Sequence, residues 1–489
     1  MPLNAFKRAA RFFMADGGSI KARVLRSGMW VALASSFGMV VNLVRSVILA
    51  RLLTPEIFGL MGLASIAIRA LETVSRPGVA QALIARQKDF DEAAPTAFTL
   101  LVGRGLVLAI LMAAVAPWVA RFYDAEELRP VLQVLSVTFV IGSFVNINTI
   151  SRQRELDFRQ LTYIGQVTMI AGTVVTIAAA YWLRSVWALV IGQVVSVSIN
   201  VLVSYWFIGG CMRFAFDREI AAELIRYGKF VTGSSIVLYV ATELDSAVLG
   251  KLMGTEQLGF YTMAATIANL ATTNLSKMAS SIMMPAYSKL QVDRAALRQA
   301  FTRTLSLVMF AVLPASAGLL IAAQPIVQVV LGGQWLPAAV PLQILAVFGL
   351  FRSLAAFNGY LFEGIGLPRI AFYLGVLRLA VIVPLIVPAT LNYGLEGAAA
   401  TVTLGIVVQW FGGLVFLRKF VEIGPTRVLE ATWRPMWTTA LMCGVVYLVM
   451  TAVGGSSVSG LALTVSAGIV TYLLLNVPVL AALRMERLG

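Results

Sequence analysis

No histidine occurs anywhere in the 489 residues, and cysteine occurs twice, at Cys211 and Cys443. The first absence removes histidine metal sites and histidine acid–base catalysis. The second gives no basis for a disulfide framework. Charged residues make up only 12% of the chain, against about 25% in an average soluble domain. No G-x-x-x-x-G-K-[ST] phosphate loop is present, so ATP hydrolysis by this chain is not expected. The basic N-terminus lacks a short apolar region followed by an A-x-A-like site, so no cleaved signal peptide is expected. Nothing calls for a cofactor or a metal, and an enzyme is not expected.

What is present is apolar: 59% of residues are hydrophobic and the mean hydropathy is +0.86. The apolar residues form blocks of roughly twenty, which at about 1.5 Å per residue cross a roughly 30 Å hydrocarbon core as helices. Barrel strands would alternate over about ten residues, and these blocks do not. The expected fold is an all-α polytopic membrane protein with about fourteen spans: 28–50, 57–75, 95–117, 131–150, 161–182, 186–208, 229–250, 259–285, 302–324, 338–361, 369–389, 394–416, 434–453 and 458–480. Ahead of them, Phe6, Phe12 and Phe13 among Lys7, Arg8 and Arg11 read either as an interfacial amphipathic helix or as a basic tail.

The net charge of +15 does not indicate nucleic acid, because the basic residues are scattered through short loops. Assigning loops alternately to two sides places 27 of the 38 Lys and Arg on one side and 5 on the other, with 6 inside spans. By the positive-inside rule both termini are expected in the cytoplasm.

The stretch beginning at Arg45, RSVILARLLTPEIFGLMGLASIA, aligns with DSAVLGKLMGTEQLGFYTMAATI beginning at Asp245. At a constant offset Ser46, Leu49, Leu52, Glu56, Gly59 and Ala64 match Ser246, Leu249, Leu252, Glu256, Gly259 and Ala264, and Arg51 matches Lys251. The offset carries span 1 onto span 7. Two six-span lobes of like orientation are therefore expected around a central cavity. The divisions are 1–27 as the cytoplasmic N-terminus, 28–208 and 229–417 as the lobes, 209–228 as a cytoplasmic linker, and 418–489 as two further spans and the C-terminus.

Six cations, Arg45, Arg69, Arg104, Lys277, Arg352 and Arg378, and three acids, Glu72, Glu243 and Asp245, fall within spans. A charge at the bilayer centre costs about 2.5–3.5 kcal/mol on insertion scales, so such residues face the bundle interior or a wet cavity. Arg104, Arg352 and Arg378 sit roughly 14 Å from their cytoplasmic span ends, too deep for easy snorkelling. Lys277 is near an end and can snorkel. The excess of cations suits a mobile anion, and Arg forks suit phosphate oxygens. Internal pairing is the competing reading: Arg69 with Glu72 at i,i+3, and Arg45 with the repeat-equivalent Asp245. Glu243 and Asp245 are candidates for coupling to H⁺ or Na⁺.

The stretches LARLLTPEIFGLMGLASIAIRALETVSRPGVAQALIARQ and YGKFVTGSSIVLYVATELDSAVLGKLMGTEQLGFYTMAATIANL resemble the bacterial polysaccharide flippases of the Wzx type, as do PAYSKLQ, VLGGQWLPAAVPLQILA and GYLFEGIGLPR. That resemblance covers residues 28 to 420. It implies the multidrug/oligosaccharidyl-lipid/polysaccharide exporter fold and movement of undecaprenyl-diphosphate-linked oligosaccharide from the cytoplasmic to the periplasmic leaflet of the bacterial inner membrane, for exopolysaccharide or lipopolysaccharide synthesis. Polymerase or export machinery would be its protein partners. NLVRSVILAR also resembles the first-span arginine region of the lipid II flippases, which implies a substrate role for Arg45 and, by weaker flanking likeness, Arg69. The alternatives are a multidrug exporter of the same fold, for which the cationic excess is unsuited, and a membrane polysaccharide polymerase or ligase, for which the outer loops are short. A channel is a third, and no filter-like segment supports it.

Overall fold

The computed structural model describes residues 20–75, 78–86, 90–155, 157–210, 213–454 and 457–477, with side chains from residue 34 onward apart from position 85 and positions within 227–238 and 271–286. The N-terminal aromatic-basic segment and the side chain of Lys277 lie outside the described residues. Among those residues the regular structure is entirely helical. This is what hydrocarbon demands, since no water is there to satisfy an open backbone.

The first half contains α1 (Ile20–Leu52), α2 (Pro55–Val74), α3 (Val79–Ala85), α4 (Phe90–Phe122), α5 (Leu128–Ser143), α6 (Asn148–Arg154), α7 (Phe158–Leu183) and α8 (Val186–Ile208). The second contains α9 (Arg218–Leu290), α10 (Arg294–Ile326), α11 (Ala339–Gly364) and α12 (Pro368–Phe420), and α13 (Pro425–Val453) and α14 (Val458–Leu475) close the chain. Ten spans are long and apolar enough to cross a membrane, or eleven with the α5–α6 pair, which bends by 62°. The chain is thus a multi-pass membrane protein. Fourteen spans are reached only by also counting α9 as two and α12 as two. Each of those helices contains one glycine outside helical geometry, Gly254 (φ 82°) and Gly394 (φ 56°), conformations open to glycine because it lacks a Cβ.

The exterior is apolar along the helix middles, as at Ile110 and Val174, and carries exposed tryptophans towards the helix ends, at Trp118, Trp182, Trp206 and Trp433. That arrangement fits acyl chains with an aromatic belt at each interface.

The expected linker 209–228 is helical from Arg218 onward. The Asp217 carboxylate caps this start by accepting from the Glu219 and Ile220 amides. The Thr96 hydroxyl accepts from the Asp217 amide at 3.1 Å. Ile220 and Leu224 are buried against Val79, Leu83, Ala93 and Ala97 of α3 and α4, and Arg86 bridges to Glu223 at 3.7 Å. The first turns of α9 are therefore an amphipathic segment docked on the first half.

The two members of the sequence repeat meet face to face. The packing of α2 on α9 is the most extensive between helices among the described residues. A Cβ added at Gly59 would lie 1.7 Å from the Thr255 carbonyl oxygen, and one added at Gly259 would lie 1.9 Å from that of Pro55. Pro55 and Thr255 are themselves repeat-equivalent, so the contact is a local pseudo-two-fold. Any side chain at either glycine forces the backbones apart.

The same end of the bundle, the one with few basic residues, is held by three further contacts. Arg51 donates to the carbonyls of Val329 and Val330, in the π-helical turn Val327–Leu331 that follows α10, where helix-end carbonyls lack intrahelical donors. Its repeat-equivalent Lys251 pairs with Asp124 at 2.6 Å. Trp335, fully buried, donates its indole N–H to the Ala50 carbonyl at 2.8 Å and meets Phe58 and Phe260, one from each half, edge-on.

Gly59→Val or Gly259→Val is expected to open this end. The check is maleimide labelling of a Leu53→Cys reporter in a background lacking Cys211 and Cys443. Leu53 is only 1% exposed, so labelling should be slow in the parent and several-fold faster in either glycine variant.

Candidate substrate site between the halves

Arg69 on α2 does not pair with Glu72. Its guanidinium reaches across to Glu243 on α9, at 2.8 Å. Residues 69 and 72 share a helix face, but α9 packs so closely on α2 that an acid of the other half is nearer. The Tyr239 hydroxyl, one turn before Glu243, donates to the Ile66 carbonyl at 2.8 Å. Together the two contacts tie the halves on the basic side of the glycine crossing.

Arg104 on α4 donates from Nε to the Ser75 carbonyl at 2.9 Å and from Nη2 to the Glu72 carbonyl at 3.2 Å. Those carbonyls are at the C-terminal end of α2, where the helix dipole favours a cation and where acceptors lack intrahelical donors. Arg104 and Glu72 also line a cleft of about 270 Å³ with Thr138, Ser143 and Asn146 inside the first half. Arg104 thus closes the α2 end from within the first half.

Asp245 is not paired with Arg45. It accepts a short hydrogen bond from the Tyr261 hydroxyl, across the kink at Gly254 that folds α9 back on itself. Arg45 makes no ion pair among the described residues and is half-buried on α1.

The remaining two arginines come together. Phe348 and Arg352 lie one turn apart on α11, hence on one face, and α11 packs along α12. The Arg352 Cζ sits 5.7 Å from the centre of the Phe348 ring, and the Arg378 Cζ of α12 sits 5.5 Å from the same centre. Arg378 is only 9% exposed, its Nε has no hydrogen-bond partner, and it makes no ion pair among the described residues. Asp245 acts on it electrostatically from beyond ion-pair distance. A buried guanidinium is expensive unless its donors are engaged. Here the ring face and the distant carboxylate offset only part of that cost, so the site is suited to an anion.

Of the seven sequence candidates, Arg69 with Glu243 and Arg352 with Arg378 are brought into two clusters, Asp245 borders the second, Arg104 sits apart, and Arg45 stands on the first helix. Neither Phe348 nor Tyr261 stood out in the sequence. The Phe-x-x-x-Arg spacing in an apolar helix was the available signal for the first.

The sequence model of the family described as "Polysaccharide biosynthesis protein" matches residues 48–340. The chain belongs to this family. It is 27% identical over 418 residues to the lipopolysaccharide biosynthesis protein WzxC of Escherichia coli (strain K12), covering 85% of this chain and 84% of that one. It is 23% identical over 356 residues to the succinoglycan biosynthesis transport protein ExoT of Rhizobium meliloti (strain 1021), covering 73% and 72%. Among solved structures it is similar in fold to the lipid II flippase MurJ in an inward closed conformation, with a TM-score of 0.74, 14% identity and coverage of 92% and 98%.

Arg69→Glu and Glu243→Arg should each lower the thermal midpoint of the purified protein, because each places like charges at the crossing. The double exchange should recover at least half of the larger loss. Strict additivity of the two would show that the pair does not couple.

Proposed function

We propose that this protein flips a polyprenyl-diphosphate-linked oligosaccharide across the bacterial inner membrane, from the cytoplasmic to the periplasmic leaflet, for surface polysaccharide synthesis. Alternating access between the two halves is the mode of transport. The observation that carries this reading is Arg378, a buried guanidinium without an ion-pair partner among the described residues, beside Arg352 and in a chain of this family. Arg forks match phosphate oxygens, and a headgroup entering between the halves would supply the missing charge. Arg45, a cation of the opposite half, is assigned to the same headgroup on this reading.

On this reading both termini are cytoplasmic, as the loop charges indicate. The end closed by Trp335 and the paired glycines is then periplasmic, and substrate enters from the inside. The Arg69–Glu243 pair would separate as the halves rock, and Glu243 or Asp245 would take up a coupling H⁺ or Na⁺. The names of WzxC, ExoT and MurJ, two polysaccharide biosynthesis proteins and a flippase, agree with the assignment.

Charge reversal at Arg378 or Arg352 is expected to abolish surface polysaccharide while leaving the protein in the membrane. Lipid-linked oligosaccharide should accumulate in the cytoplasmic leaflet, as read by its inaccessibility to a periplasmic glycosidase in spheroplasts. Normal export in both variants, with wild-type protein levels, would remove the cationic site from the mechanism. Charge reversal at Arg104 should instead lower thermal stability, through the α2 end it caps.

A further inference from the structure

The cleft of about 270 Å³ inside the first half lies at the 62° bend between α5 and α6, against α4 and the C-terminal end of α2. Its polar lining is Glu72, Arg104, Thr138, Ser143, Asn146 and Thr149. Donors among these side chains are already spent on the backbone. The hydroxyls of Thr138, Ser143 and Thr149 donate to the carbonyls of Leu135, Val140 and Asn146. The Asn146 carboxamide donates to the Gly209 carbonyl, and Arg104 donates to the carbonyls of Ser75 and Glu72. What the hydroxyls and the carboxamide leave for a guest is oxygen lone pairs. The Glu72 carboxylate adds more, and among the described residues it makes no hydrogen bond or ion pair.

A carboxylate within the apolar layer is costly unless donors reach it. The cleft is therefore suited to a guest rich in donors, either a ring bearing several hydroxyls or a cation. Arg104 in the same wall opposes a bare cation. The volume also exceeds what a small ion needs, since one water takes about 30 Å³. A sugar ring meets both conditions. Glu72 stands one turn of α2 beyond Arg69, whose guanidinium meets Glu243 of the other half at 2.8 Å, so the cleft lies beside the seam between the halves.

We propose that this cleft is a sugar subsite, which accepts hydrogen bonds from the hydroxyls of one ring of a lipid-linked oligosaccharide, chiefly at Glu72 and Thr138. This rests on the flippase reading above and extends it from the headgroup to the cargo. The carrier lipid without sugar has no hydroxyls to donate here and leaves the Glu72 carboxylate unserved. A site built to bond hydroxyl groups discriminates against the analogue that lacks them. The cleft thus favours loaded carrier over empty carrier.

The test is binding to the full-length protein in nanodiscs of two lipids, bare undecaprenyl diphosphate and the lipid-linked oligosaccharide extracted from cells lacking this protein. Wild type should prefer the glycosylated lipid by roughly tenfold or more. Glu72→Leu should remove most of that preference. Thr138→Val should reduce it severalfold, and its lost hydroxyl bonds only within its own helix, so the variant remains informative if Glu72→Leu does not fold. The oligosaccharide released from its lipid by mild acid should compete only weakly.

Equal binding of the two lipids by wild type would overturn the subsite and leave the flippase reading standing, as would full preference retained in both variants, or in Thr138→Val where Glu72→Leu does not fold. A wild type that binds neither lipid would overturn both. Competition by the released oligosaccharide as strong as by the lipid-linked form would overturn the lipid-linked cargo as occupant. Displacement of the glycosylated lipid by sodium ions, abolished in Glu72→Leu, would make the cleft a cation site and so overturn the sugar.

Discussion

A polar group that leaves water for hydrocarbon must find its partner within the protein. Nearly everything in this molecule is arranged by that demand. It makes the chain helical, and it decides what is done where helices stop. The α2 carbonyls at 72 and 75 are closed by Arg104, the end of α10 by Arg51, and the Ala50 carbonyl by Trp335 and Gln334. In each case the donor comes from a different helix, so satisfying a helix end also fixes how helices sit against one another. Arg378 stands out against this background as the buried cation whose account is left incomplete.

The repeat places that local chemistry symmetrically in the two halves. Arg51 and Lys251 occupy equivalent positions and each fastens its own half to the other, one through backbone carbonyls and one through Asp124. Gly59 and Gly259 let the backbones touch between them. Surface ion pairs such as Lys251–Asp124 contribute little on their own. The steric fit of two glycines is the contact that tolerates no substitute.

Much of this was legible in the sequence because it rests on patterns that a one-dimensional reading preserves. Blocks of apolar residues announce spans, and a constant offset announces which segments are equivalent. The equivalence of Gly59 with Gly259 was visible before their contact was. Partners were less legible. Glu72 was the nearest acid to Arg69 along the helix, yet Glu243 of another helix is nearest in space. Asp245 was matched to Arg45 by the repeat, yet Tyr261, sixteen residues on and folded back through Gly254, takes its carboxylate. Helix-end carbonyls leave no mark in a sequence, so nothing there signalled that Arg104 had a structural use. The span count stayed ambiguous for a related reason: the breaks at Gly254 and Gly394 are single residues within continuous helical turns.

The docked start of α9 has one more implication. Ile220 and Leu224 are sunk into the first half, together with Arg86 and Glu223, although the chain beyond them belongs to the second. The connecting peptide is therefore fastened to the first half before the chain crosses to the second. On the transport mode proposed above, a pivot between the halves would fall further along α9, past this anchored turn.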